Sequence, residues 1–135
     1  GGMKKELMDQ AKQEMERARR ALRAAEILAK EELYEDSVSR AYYAVLHAAR
    51  AGLLTVPVFP ESHSAVRRLF GLHLVKDGPI EKKFAVILMA EQEDREMGDY
   101  GIGFVFPHER ALTRLDEARI FLQRIGHLLD ADTQG

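Results

Sequence analysis

Five polar residues recur at helical spacing in the middle of the chain and could bind an anion: Asp36, Arg40, Tyr43, His47 and Arg50. Steps of three and four residues confine them to an arc of about 80° on a helix. Arginine binds phosphate through a planar fork, and histidine exchanges a proton near neutral pH. This polar stripe predicts either a phosphate-binding surface or a structural network.

The structural interpretation is that the polar stripe faces the fourth helix, so that Arg40 pairs with Glu91 or Asp94. Pairing is the usual fate of charges inside helical bundles, and the sequence favours it. If the stripe instead binds phosphate, we expect Arg40, His47 and Arg95 to supply the cations. The hydroxyls or stacking faces would then come from Tyr43 and Tyr100.

A second group, Arg95, Asp99 and Tyr100, stands at the end of the fourth predicted helix. It could complete a ligand-binding site. In the structural alternative, Arg95 complements the dipole of the helix C-terminus and the tyrosine packs on the following loop.

The polar stripe belongs to segment 36–54, which is otherwise apolar or small nearly all round. Such a helix is buried among neighbours, so the segment is predicted to be the centre of an all-α, antiparallel bundle of about five helices, one of them short. Residues 3–130 are predicted to form one domain, with 1–2 as a cloning remnant and 131–135 as a frayed tail. The first helix is predicted over Lys4–Lys30, and the second begins at a cap formed by Asp36 or Ser37. The third is capped by Ser62 and ends at residues 77–79, and the fourth covers 80–97 and stops at Gly98. Pro107 opens the last helix.

Composition restricts the chemistry of the chain. The 135 residues include no cysteine and carry a net charge of −2, which excludes thiolate sites and fits a cytoplasmic protein without a membrane span. His63 and His73 lie on different faces of a helix, so neither a metal nor a cofactor is expected. Four arginines of the first helix could form a basic patch, but a solvated face with glutamate partners is favoured: Arg17, Arg19, Arg20 and Arg23.

Several short blocks, in this order, resemble the HEPN family (higher eukaryotes and prokaryotes nucleotide-binding). The likeness covers nearly the whole chain. The blocks are Ser39-Arg40-Ala41-Tyr42-Tyr43-Ala44, His47-Ala48-Ala49, Ser62-His63-Ser64-Ala65-Val66, Phe70 with Val75-Lys76-Asp77-Gly78, and the segment from Arg95 to Tyr100.

The resemblance implies a helical bundle that dimerises and is often encoded beside a small nucleotidyltransferase. Many members are metal-independent RNases, frequently toxins of toxin–antitoxin pairs. Active members carry an arginine followed, after four to six residues, by a histidine. Here Arg95 matches the arginine, and Tyr100 stands where the histidine is expected.

Two functions follow as expectations. The first is a nucleotide- or RNA-binding or interaction module, the partner of a nucleotidyltransferase, with Arg40, Tyr43, His47, Arg95 and Asp99 as ligand-binding residues. The second is an RNase toxin with a diverged site that uses Arg95, Tyr100 and His47. A homodimer is expected in either case, because a monomer would expose the successive apolar residues Ile102, Phe104, Val105 and Phe106.

Overall fold

The computed structural model describes residues 4–100 and 105–134, and within these ranges the chain is an all-α bundle of five helices without a β-strand. This confirms the predicted fold class. The helices are α1 (Lys5–Lys30), α2 (Tyr34–Leu53), α3 (His63–Leu69), which continues as a π-helical segment (Phe70–Lys76), α4 (Lys82–Tyr100) and α5 (His108–Gln134).

Helices α1 and α2 form an antiparallel hairpin joined by residues 31–33, with Glu32 at a φ of 63°. The predicted cap of α2 was wrong, because the helix begins at Tyr34 and no side chain caps it. Ser37 is instead buried one turn inside, where its hydroxyl donates to the carbonyl of Ala25 at 2.7 Å. The backbone of α1 therefore accepts the hydrogen bond of a hydroxyl that the sequence indicated as a helix cap.

Helix α2 is the centre of the bundle and packs against α1, α3, α4 and α5. Its buried face is rich in alanine, and α1 presents alanines toward the core as well. Small side chains let two helix backbones approach closely. Long side chains at the edges of this contact can therefore reach from one helix to the other.

The last two helices end later than expected, and α4 also begins two residues later than expected, at Lys82. Helix α4 passes through Gly98, which is therefore no helix stop; a Cβ there would lie 3.0 Å from the ring of Phe106 and 3.1 Å from the side chain of Glu35. Helix α5 starts directly after Pro107 and continues to Gln134, so the tail from Asp130 is helical.

The apolar segment after α4 is only partly described. Ile102 and Phe104 lie outside the described residues. Val105 is 81% exposed, as expected, whereas Phe106 is buried with Val38 and Ala111, so the expectation that Phe106 would be exposed was wrong. The homodimer stays a prediction.

Candidate functional site

The acidic residues expected to neutralise the polar stripe lie beside arginines of α5 instead. Arg110 and Arg114 of α5 both donate to Asp94, through their Nε atoms at 2.9 Å and 2.7 Å. Glu91 is fully buried on the same side of α4, and Arg114 is one of its charged neighbours. Arg40 is exposed. The predicted pairing of Arg40 with Glu91 or Asp94 was therefore wrong, because α5 supplies the guanidinium groups.

Tyr43 is the contact point between the polar stripe and α4. Arg95 donates from Nη2 to the Tyr43 hydroxyl at 3.0 Å, and its guanidinium carbon lies 5.2 Å from the Tyr43 ring centroid and 5.4 Å from that of Tyr42. The guanidinium carbon of Arg40 lies 5.3 Å from the Tyr43 ring. Three of the predicted ligand-binding residues, Arg40, Tyr43 and Arg95, thus lie together, and each arginine is held over an aromatic ring at cation–π distance.

His63, at the start of α3, joins this cluster and was missed as a site residue. Its Nδ1 lies 3.4 Å from the hydroxyl of Tyr42, and its ring is 6.4 Å from that of Tyr43. Partial burial, with the nearby charges of Arg50 and Arg95, lowers the pKa of His63 below its ordinary 6.5. The imidazole is therefore neutral at physiological pH and can accept a proton.

Arg67, one turn after His63, adds another cation. It is half-buried, and its charge acts on both Tyr42 and His63. Burial, the larger influence, raises the pKa of Tyr42 above its ordinary 10.0, which keeps the phenol protonated. The one sequence signal for this side of the site was the short block around His63, since no local periodicity links α3 to α2.

The other side of the polar stripe faces α1. His47 Nδ1 and Glu14 Oε2 are 2.7 Å apart. This hydrogen bond lowers the pKa of Glu14 below its ordinary 4.5, so Glu14 is a carboxylate that can only accept. His47 Nδ1 is therefore the donor, and the Glu14 carboxylate fixes the orientation of the ring while Nε2 remains for a ligand.

A groove of about 420 Å³ lies between α1 and α2 along the polar stripe. We call it the α1–α2 groove. Three arginines make the polar part of its lining mainly cationic. The lining residues are Arg17, Arg20, Ala21, Ala24, Arg40, Tyr43 and His47. A second depression follows it, where Arg17 and Arg50 face Glu14. Guanidinium and imidazole groups thus flank α2 from both sides, although the whole chain is slightly acidic.

Two predicted site residues are not placed by this geometry. Asp99 and Tyr100 belong to the last turn of α4, and their side chains lie outside the described part of the chain. Among the described residues, no group of three or more histidine, aspartate or glutamate side chains is placed to hold a metal ion. No helix in the same ranges is long and apolar enough to cross a lipid bilayer.

Residues 11–129 match the family model of the HEPN domain. The chain belongs to the HEPN family. The match extends from within α1 to within α5, and it includes the segments that carry Glu14, the polar stripe, His63 and Arg95. The polar surface described above is therefore a feature of a HEPN domain.

Two relatives share most of their length with this HEPN domain. A protein of Methanocaldococcus jannaschii named "Putative toxin MJ0605" is 36% identical over 123 residues, which is 91% of each chain. A "UPF0332 protein" of Thermotoga maritima is 32% identical over 114 residues, 84% of this chain and 86% of the relative. A shorter match, 44% identical over 87 residues, is to "UPF0332 protein glr0978" of Gloeobacter violaceus and covers 64% of this chain and 69% of the relative.

Proposed function

We propose that this HEPN domain binds RNA through the phosphate backbone, at the surface around Tyr43. The observation that carries the proposal is the placement of two guanidinium groups, from Arg40 and Arg95, on the rings of Tyr42 and Tyr43. Guanidinium groups bind phosphate oxygens by two parallel hydrogen bonds, and the half-buried ring of Tyr43 offers a stacking surface to an unpaired base, whereas Tyr42 is buried. Arg67 extends the same cationic surface toward α3, and the neutral imidazole of His63 lies beside it.

The biological setting that we propose is a toxin-like, two-component system. Relatives with toxin-like names support such a role. The resemblance to HEPN proteins adds a nucleotidyltransferase as the proposed partner and a homodimer as the proposed assembly. An RNA-binding surface on a small domain is consistent with a toxin that a partner protein must cover or modify.

Fluorescence anisotropy with a labelled single-stranded RNA tests the binding. We expect the affinity to fall as salt rises, because phosphate contacts release counterions. Arg40→Gln and Arg95→Gln should each weaken binding. Arg119→Gln is the matched control, because this α5 arginine is paired with Asp116 and Glu26 away from the site. Salt-insensitive binding, or equal affinity in the parent and both site variants, would refute the proposal.

Metal-independent cleavage is a second candidate, favoured by the neutral imidazole of His63 beside Arg95. In such a reaction His63 removes the proton of a ribose 2′-hydroxyl, and the 2′-oxygen attacks phosphorus. The bond from phosphorus to the 5′-oxygen then breaks, and that oxygen takes a proton from an acid, for which His47 is the candidate. Arg95 would stabilise the extra negative charge on the phosphorane.

Product analysis in the presence of a chelator tests the cleavage. We expect 2′,3′-cyclic phosphate ends, and we expect His63→Gln to abolish them while RNA binding persists. Intact RNA after prolonged incubation with the parent protein would contradict cleavage and would support binding alone. The sequence-based assignment of Tyr100 to catalysis stays a prediction, which Tyr100→Phe can test in the same assay.

A further inference from the structure

The α1–α2 groove adjoins the proposed RNA site, because Arg40 and Tyr43 line the groove and the Tyr43 hydroxyl also accepts from Arg95. Two hydrogen bonds define the register between α1 and α2, one between Glu14 and His47 and one between Ala25 and Ser37. In an antiparallel pair with this register, Arg20 of α1 lies within one turn of the position opposite Arg40 of α2, which agrees with both side chains lining the groove. The groove thus has a cationic end, and that end adjoins Tyr43.

The two arginines at this end of the groove are free of ion pairs among the described residues. Within residues 4–100 and 105–134, neither Arg20 nor Arg40 forms an ion pair, whereas the α5 residues Arg110, Arg114 and Arg124 all do. Carboxylates lie one turn away on the same helices, at Glu16 and Asp36, but they do not pair with these guanidinium groups. Two guanidinium groups facing one groove repel each other unless an anion lies between them.

The other end of the α1–α2 groove is electrostatically different. There Arg17 is 3.3 Å from the carboxylate of Glu14, which also accepts from His47. A phosphate at this end would meet a negative charge. An anion in the groove is therefore directed to Arg20 and Arg40, close to Tyr43.

We propose that the α1–α2 groove is a second phosphate subsite, so that the ligand is a single-stranded polynucleotide rather than a mononucleotide. This inference rests on the proposed function. One phosphate occupies the surface beside Arg95, and the strand continues past Tyr43 so that a further phosphate lies between Arg20 and Arg40. One phosphodiester carries a single negative charge and cannot neutralise Arg20, Arg40 and Arg95 together.

The shape of the groove favours a single strand. It is a surface valley above the contact of two helices, whose axes lie about 8–10 Å apart when they pack. A volume of about 420 Å³ has room for one sugar–phosphate chain. A flexible single strand can follow this valley, whereas a rigid duplex presents its phosphates on a convex surface and fits the valley less closely.

A length series of RNA oligomers, measured by competition in low salt, tests the inference. We expect a mononucleotide to bind at least about tenfold more weakly than a hexamer, because it reaches one subsite only. A double-stranded competitor of equal length should compete less well than the single strand. If mononucleotide and hexamer bind equally well, the groove is not part of the RNA site, although the proposed function stands. If no RNA binds, the proposed function has failed as well.

A pair of neighbouring arginines provides the matched variants. Arg20→Gln removes a cation from the α1–α2 groove, whereas Arg19→Gln removes the same charge from the side of α1 that faces α5. Arg20→Gln should weaken hexamer binding, leave mononucleotide binding unchanged, and lower the salt slope by about 0.7, the value of one single-strand phosphate contact. Equal effects of the two variants on hexamer binding would overturn the inference.

Discussion

The most demanding test of the charge arrangement is the replacement of Arg114 by alanine. The Arg114 side chain is 14% exposed and donates to Asp94, whose side chain is 3% exposed, and to Glu117. Glu91 is fully buried beside these groups. In Arg114→Ala, three carboxyl groups would share Arg110 as the guanidinium that remains from this cluster.

The cost follows from burial. Removal of one partner from a buried ion pair costs about 3–5 kcal/mol, because the remaining charge is desolvated without compensation. Arg110 continues to hold Asp94, which favours the lower end, about 3 kcal/mol. In a chain of 135 residues, 1 kcal/mol corresponds to roughly 3–4 °C in the melting temperature. We therefore expect Arg114→Ala to lower the melting temperature by about 10 °C.

Thermal and urea unfolding followed by circular dichroism measure this effect, and Arg40→Ala is the control. Arg40 is exposed and forms no ion pair within the described residues, so its loss should change the unfolding free energy by less than about 1 kcal/mol. A melting temperature of Arg114→Ala within 2–3 °C of the parent, by the same conversion, would refute the reasoning. So would a loss in Arg40→Ala as large as that in Arg114→Ala.

Two further perturbations test the interior of α4. Burial, with the neighbouring charge of Glu117, raises the pKa of Glu91 well above 4.5. The protonated carboxyl group therefore contributes its full stabilisation of the fold below pH 4.5, and this contribution is lost as pH rises through the raised pKa. Glu91→Gln should therefore gain stability relative to the parent between pH 4.5 and neutrality, and parallel urea midpoints across that range would contradict this. Gly98→Ala gains about 1 kcal/mol in helix propensity but presses a methyl group onto buried Phe106 at a cost of about 1–3 kcal/mol. We expect urea unfolding to show a lower free energy of unfolding for Gly98→Ala than for the parent. A higher value would show that the Phe106 ring moves aside without cost.

Local patterns predicted the elements of this domain well. The spacing of apolar residues indicated five helices and placed α2 at the centre, and the structure confirms both. Helix ends were less predictable. Gly98 carries the usual signal of a helix stop, yet α4 continues because the absence of a side chain there admits Phe106 and Glu35. The sequence likewise indicated Ser37 as a helix cap, but its hydroxyl donates to the backbone carbonyl of Ala25 in α1.

The sequence by itself determined that Arg40, Tyr43 and His47 share one narrow face of a buried helix, because helical geometry depends only on local spacing. Only the tertiary structure decided what that face meets. Asp94 pairs with arginines 16 and 20 residues further along the chain, and His63 reaches Tyr42 from another helix. Such contacts depend on how helices pack, and the periodicity of one segment holds no record of the charges on its neighbours. The polar stripe was therefore visible in the sequence, and its exposure to a ligand was not.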